Sequence, residues 1–154
     1  KGIAQVHLSG IGTRIFYAQL GGFDVHGAQI QTQRTLLENV SRSVGDFFDD
    51  LRENSGSEEV IMMIFSEFGR RIKDNGNGTD HGSGGGTLLI GDRVKGGFYD
   101  PYPSLAPEDQ LDGDMHFSHD FRSIYSTVLE QWLDLNPNPI VNGTFDQFEN
   151  VFNI

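Results

Sequence analysis

Aspartate and histidine set close together between glycines are the residues of this chain best suited to chemistry. Gly21-Gly22-Phe23-Asp24-Val25-His26 and Gly78-Thr79-Asp80-His81-Gly82 each offer a carboxylate and an imidazole within a few positions of each other. Carboxylate oxygen combined with neutral imidazole nitrogen suits zinc, manganese and other divalent ions. A close pair of such ions would clamp the oxygens of a phosphoryl or sulfuryl group during its transfer. Asp24, His26, Asp80 and His81 are therefore the candidate metal ligands. Gly78 and Gly82 strengthen the second segment, because a residue without a Cβ lets the backbone approach a ligand closely. The bland alternative is that a lone Asp-x-His is a loop carboxylate orienting an imidazole.

Further candidates lie nearby in sequence. Glu67 and Arg70 follow the apolar run Val60 to Phe65. The arginine has the fork to hold an anionic substrate group bidentately, and the glutamate is a possible ligand; equally, the two side chains can simply pair, or Glu67 can pair with Arg71. His116 and His119 flank the start of a predicted helix, where an imidazole either completes a metal shell or sits at the surface. Asp112-Gly113-Asp114 matches half of a calcium loop but lacks the remaining ligand positions, and reads as a turn. There is no phosphate-cradling Gly-x-x-x-x-Gly-Lys-Ser/Thr, no dinucleotide fingerprint and no Gly-x-Ser-x-Gly elbow, which removes support for common NTPase, dehydrogenase and esterase readings.

The elements that must position these residues are suggested by periodicity. Arg14 to Leu20 is short, aromatic and β-branched and runs into Gly21-Gly22, which predicts a strand entering a loop. From about Ala28 to Glu53, apolar residues Leu36, Leu37, Val40, Val44, Phe47, Phe48 and Leu51 recur three or four apart and predict a long amphipathic helix. Val60 to Phe65 is a continuous apolar run of the kind buried on both faces of a parallel sheet. Strand, helix and strand make a βαβ unit, and ligand sites in such sheets lie beyond the carboxyl ends of the strands. Residues 73–86 form a glycine-rich loop with no regular structure expected, Thr87 to Ile90 a short strand, and 92–114 a proline-broken loop with a hairpin around Val94 to Tyr99. Ser118 is a predicted N-cap for a helix carrying Phe121, Ile124, Tyr125, Val128, Leu129 and Trp132, and the tail through Phe145, Phe148, Val151 and Phe152 is expected to pack on the core. The expected fold is thus a single α/β domain over 1–154, a mostly parallel sheet flanked by helices.

Composition sets outer bounds. The chain has 154 residues, 36% of them hydrophobic, enough for a core, and a formal charge of −11 that repels nucleic acid and anionic lipid. With no cysteine, any metal must be held by carboxylates and imidazoles. No stretch approaches the roughly 18 apolar residues of a membrane span. Lys1 stands where a whole protein would carry Met, so the chain reads as the C-terminal part of something longer.

Gly-Gly-Phe-Asp-Val-His, Phe65-Ser-Glu-Phe-Gly-Arg-Arg71, Gly78-Thr-Asp-His-Gly82, Val94-Lys-Gly-Gly97 and Asp120-Phe-Arg-Ser-Ile-Tyr125 occur in that order, from about Arg14 to Phe148. Together they resemble the bacterial domain-of-unknown-function 1501 family, grouped with the alkaline phosphatase and sulfatase superfamily. The resemblance implies an alkaline-phosphatase-like fold and a metal-dependent hydrolase of phosphate or sulfate esters, using one or two zinc, manganese or calcium ions. Its substrate would be a small anionic ester or a sulfated or phosphorylated glycan. It maps the superfamily's metal-binding Asp-His pair onto Asp80 and His81 and an earlier pair onto Asp24 and His26, with the last histidine matched by position to His116 or His119. Superfamily phosphatases separate the earlier pair by three residues, whereas here only Val25 intervenes. The superfamily nucleophile, at a helix start in the N-terminal half, has no counterpart in this chain; Ser66, Thr79 and Ser83 do not match it. The resemblance also implies export. The contrasting reading is a non-catalytic domain that keeps part of the metal site and binds a glycan or a protein partner.

Overall fold

Apolar side chains three and four residues apart gather on one face when the backbone is helical, and in the computed structural model they do so along α2 (Gln29–Glu53), the longest element. The structure describes residues 1–153. Along the chain come α1 (Gly2–Leu8), α2, β1 (Met62–Ile64), β2 (Gly69–Asp74), β3 (Thr79–Gly82), β4 (Leu88–Ile90), α3 (Arg122–Thr127) and α4 (Asn138–Val141). Phe48 and Leu51 on α2 bury themselves against Ala4 of α1, and Val44, Phe47, Val60, Met62 and Ile90 close over that cluster. Each of the two large side chains contributes about 1.5–3 kcal/mol by leaving water. Asn54 ends α2, its main-chain N–H turning back to Leu51 O at 3.2 Å.

The sheets overturn the expected architecture. β1 pairs antiparallel with β4 (Met62 opposite Ile90), and β2 pairs antiparallel with β3 (Gly69 opposite Gly82, Arg70 opposite His81), giving two separate two-stranded sheets. Neither a mostly parallel sheet flanked by helices nor an alkaline-phosphatase-like layering is present among the described residues. The reason begins at Arg14 to Leu20, which forms no strand: Ile15 and Tyr17 are 72% and 76% exposed. Without that strand there is no βαβ unit. The apolar run Val60 to Ile64 is then half-buried rather than sandwiched, with α2 packed on it and β4 as its ladder partner.

The glycine-rich stretch predicted to be irregular is instead a hairpin, whose turn is closed by Asn75 N–H donating to Gly78 O at 2.8 Å. A register irregularity between Arg70 and Asp74 lets the longer β2 face the shorter β3. No hairpin forms around Val94 to Tyr99; Val94 bridges Phe152 of the tail, and Lys95 N–H donates to Val151 O at 2.9 Å.

The second predicted helix is present but starts later and changes pitch. α3 begins at Arg122 and continues as a π-helical turn over Val128–Trp132. Ser118 does not cap it, because its hydroxyl donates to the Asp100 carboxylate; the first turn is held by Asp120, whose Oδ1 accepts the Arg122 N–H at 2.9 Å. Fully buried Thr127 donates from its hydroxyl to Ser123 O at 2.8 Å and accepts the Phe148 N–H at 3.0 Å, which ties the tail down so that Val151 and Phe152 are buried. Among the described residues no helix is long and apolar enough to cross a membrane.

Candidate metal centre

Strand alternation decides which of the predicted ligands meet. Successive side chains of β3 point to opposite faces, so Asp80 and His81 cannot both face the same partner. His81 stands directly across the ladder from Arg70, and Phe68, two residues before Arg70, shares that face. The Phe68 ring stacks on the His81 imidazole with centroids 3.8 Å apart and planes 7° from parallel.

The loop Gly21 to Gly27 reaches this face. Val25 N–H donates to Phe23 O at 2.9 Å, a tight three-residue turn centred on Asp24. The turn brings both polar residues of Asp-x-His toward β3. Asp24 Oδ1 lies 2.8 Å from His81 Nε2 and 3.3 Å from His26 Nδ1, and the two imidazole centroids are 4.8 Å apart. One ligand atom from each of Asp24, His26 and His81 falls within 4.8 Å of the others, the one such group of three among the described residues. The side chains are 68%, 48% and 39% exposed respectively, so the group opens to solvent.

Two glycines of Gly78-Thr79-Asp80-His81-Gly82 have defined packing roles. A Cβ on Gly78 would lie 2.5 Å from Gln29 Oε1 and 2.9 Å from Gln29 Cβ, and one on Gly82 would lie 2.7 Å from the Arg70 carbonyl carbon. Close approach is therefore needed for α2 and β2 to meet β3. Gln29, the first residue of α2 and almost wholly buried, accepts the Thr79 N–H with Oε1, and its Nε2 donates to Thr79 Oγ1 at 3.0 Å. From the hairpin turn, Asn77 Oδ1 accepts the Ala28 N–H at 2.9 Å. Ala28 is held in the left-handed region, with φ of 49°.

The other candidates lie elsewhere. Asp80 takes a hydrogen bond from Asn75 Nδ2 at 3.0 Å and is outside the group of three, as are Glu67, His116 and His119. Glu67 is exposed in the bend before β2, and Arg71 pairs with Asp114 instead, Nε to Oδ1 at 3.2 Å. His116 Nδ1 lies 3.1 Å from Phe117 O. His119 Nδ1 lies 2.9 Å from Asp100 Oδ2, which also accepts the Ser118 hydroxyl. Burial pushes the Asp100 carboxyl up, but the bonds from Ser118 and His119 outweigh it and hold the group below its ordinary value. Arg70 directs Nη1 to Thr79 O and Nη2 to Phe23 O, each at 2.6 Å.

A family model described as "Protein of unknown function (DUF1501)" matches residues 1–131. The chain belongs to this family. No curated protein and no solved structure matches it. In this DUF1501 chain the match runs from α1 into the π-helical turn and includes Asp24, His26, Phe68, Arg70 and His81. Sequence reasoning missed Phe68, Gln29 and Asn77 as supports of the site. Their signal was the hairpin: once residues 69–82 pair as two strands, alternation puts Phe68 on the face of His81 and the turn beside the start of α2.

Proposed function

We propose that this chain holds a single divalent ion, zinc or manganese, through Asp24, His26 and His81, and that the site belongs to a metal-dependent hydrolase of phosphate or sulfate esters of the alkaline phosphatase and sulfatase kind. The observation that carries this reading is the convergence of two imidazole nitrogens and one carboxylate oxygen within 4.8 Å. Donors of a tetrahedral zinc site at about 2.0–2.1 Å from the ion stand about 3.3 Å from one another, which the Asp24–His26 separation of 3.3 Å matches, while the 2.8 Å Asp24–His81 contact is a hydrogen bond that must open as the ion enters. The nitrogen-rich donor set disfavours calcium, which takes six to eight oxygens.

When bound, such an ion would polarise an ester oxygen or lower the pKa of a bound water. The residues present have separate tasks. Asp24 supplies the negative charge, and His81 is held in plane by its stack on Phe68. To hold the ion, each histidine must offer it a lone pair at the nitrogen that otherwise donates an N–H to Asp24 Oδ1, so protons compete with the metal and affinity falls toward acid pH. Asp80, on the other face of β3, is available to orient the turn through Asn75.

Zinc titration followed by calorimetry, with metal content measured after mild purification, tests the site. One equivalent of zinc is expected for the wild type and none for His81→Ala or Asp24→Ala. Aryl phosphate and aryl sulfate turnover by the zinc-loaded protein, with the bound water attacking in place of the side-chain nucleophile that has no counterpart here, and lost in His81→Ala, tests the reaction. Binding of zinc without turnover would favour a glycan- or partner-binding role, which the solvent exposure of Asp24 also suits.

A further inference from the structure

We infer that Arg70 and Phe68 are the positioning residues of this centre, a two-carbonyl staple and an aromatic rest that together set the Asp24 loop against His81. The inference rests on the metal reading above for its purpose, but its geometry stands apart from it. Asp24 and His81 lie far apart in sequence, and Asp24 is carried by a loop with no ladder hydrogen bonds. Arg70 bridges the gap: one terminal nitrogen donates to Phe23 O, immediately before Asp24, and the other to Thr79 O, two residues before His81.

Only a planar fork reaches two carbonyls at once in fixed directions; an ammonium on a flexible stem does not. Both terminal nitrogens of Arg70 are thereby committed to the main chain, which argues for positioning over contact with an anionic substrate. Phe68 completes the arrangement, since its ring stacks on His81 and also lies 5.3 Å from the Arg70 guanidinium carbon. Rotation of the imidazole away from Asp24 would break that stack.

The staple is tested on the metal-free protein first, by the NMR signals of the His81 ring and by hydrogen exchange of the amides of residues 21–27. In the wild type the Phe68 ring current is expected to shift the His81 ring protons upfield, given the 3.8 Å stack. Arg70→Lys is expected to move those signals toward exposed positions and to speed exchange in the loop, while far-UV circular dichroism stays unchanged. Phe68→Leu removes the upfield shift and Phe68→Trp restores it; this pair keeps the test alive if Arg70→Lys fails to fold. Zinc affinity is expected to fall about 10- to 100-fold in Arg70→Lys and Phe68→Leu, the usual effect of losing a group that orients a ligand. Wild-type His81 signals and loop exchange in Arg70→Lys would overturn the staple whatever the metal does. A wild type that binds no zinc, with metal-free signals that respond as expected, would overturn the metal reading and leave the staple standing.

Discussion

Truncating Gln29 to alanine should loosen the face of the hairpin that carries His81. The Gln29 side chain accepts the Thr79 N–H, and its Oε1 and Nε2 lie 3.1 and 3.0 Å from Thr79 Oγ1. Gln29 is 7% exposed, so water does not readily replace what is lost. A buried donor left without its acceptor costs about 1–3 kcal/mol, and the partial burial of Thr79 puts this case at about 1–2 kcal/mol. Alanine returns a few tenths of a kcal/mol in helix propensity at the first position of α2. The net loss corresponds to a Tm lower by about 2–6 °C for a chain of this size. Circular dichroism melts without metal measure it, and zinc titration reads the accompanying loss of affinity.

Gly78→Ala provides an internal control, because its Cβ would crowd Gln29 Oε1 at 2.5 Å and Gln29 Cβ at 2.9 Å. In the Gln29→Ala background the first contact disappears and the second remains, so the Gly78→Ala penalty should shrink without vanishing. An unchanged Tm in Gln29→Ala, or strictly additive losses in the double variant, would refute the packing of α2 on the hairpin as the support of His81.

Two further outcomes are expected. Gly69→Ala should destabilise the hairpin and the chain just beyond it, because a Cβ there would overlap the Gly84 carbonyl oxygen and crowd Gly82 O at 3.1 Å, both backbone atoms; a lowered Tm or weakened zinc binding is the measure, and wild-type melting would contradict this packing. For Asp120, the side-chain bond from Arg122, aided by the Arg122 main-chain N–H, holds the carboxyl at about 2 against an ordinary 3.8. A carboxyl depressed in the folded state stabilises above its unfolded value, and that contribution is lost as pH falls through its folded value. Asp120→Asn should therefore melt below the wild type at neutral pH, with the difference closing between pH 3.8 and pH 2; a difference constant across that range would show that the ion pair is not its source.

Local periodicity was enough for the C-terminal half of α2, where Val44, Phe47, Phe48 and Leu51 meet the core, but not for its N-terminal half, where Leu37 of the same predicted face is 58% exposed; it also served for the apolar tail ending in Val151 and Phe152. It was not enough for the sheets. A continuous apolar run such as Val60 to Phe65 has the same appearance whether a strand is covered on both faces or packed on one helix, and only its ladder partner distinguishes the two. That partner proved to be β4, antiparallel, while Arg14 to Leu20 found none. Lys73 to Gly86 misled for the opposite reason. Its glycines were read as signs of irregular backbone, yet at Gly78 and Gly82 they are what allows β3 to lie close to Gln29 and to the Arg70–Arg71 peptide.

The same ambiguity explains why adjacency in sequence was a poor guide to which candidate ligands meet. Asp80 and His81 look like one unit in the chain, but a strand separates neighbours onto opposite faces, and the carboxylate that meets His81 is Asp24 from a distant loop. Conversely, Asp24 and His26 flank one residue and still reach the same point, because the turn at Phe23 to Val25 folds them together where an extended chain would hold them further apart. A candidate metal site assembled this way depends on the register of a hairpin and on the closure of one loop. Its affinity should therefore be more sensitive to Arg70, Gln29 and Gly69, none of them a ligand, than to Asp80.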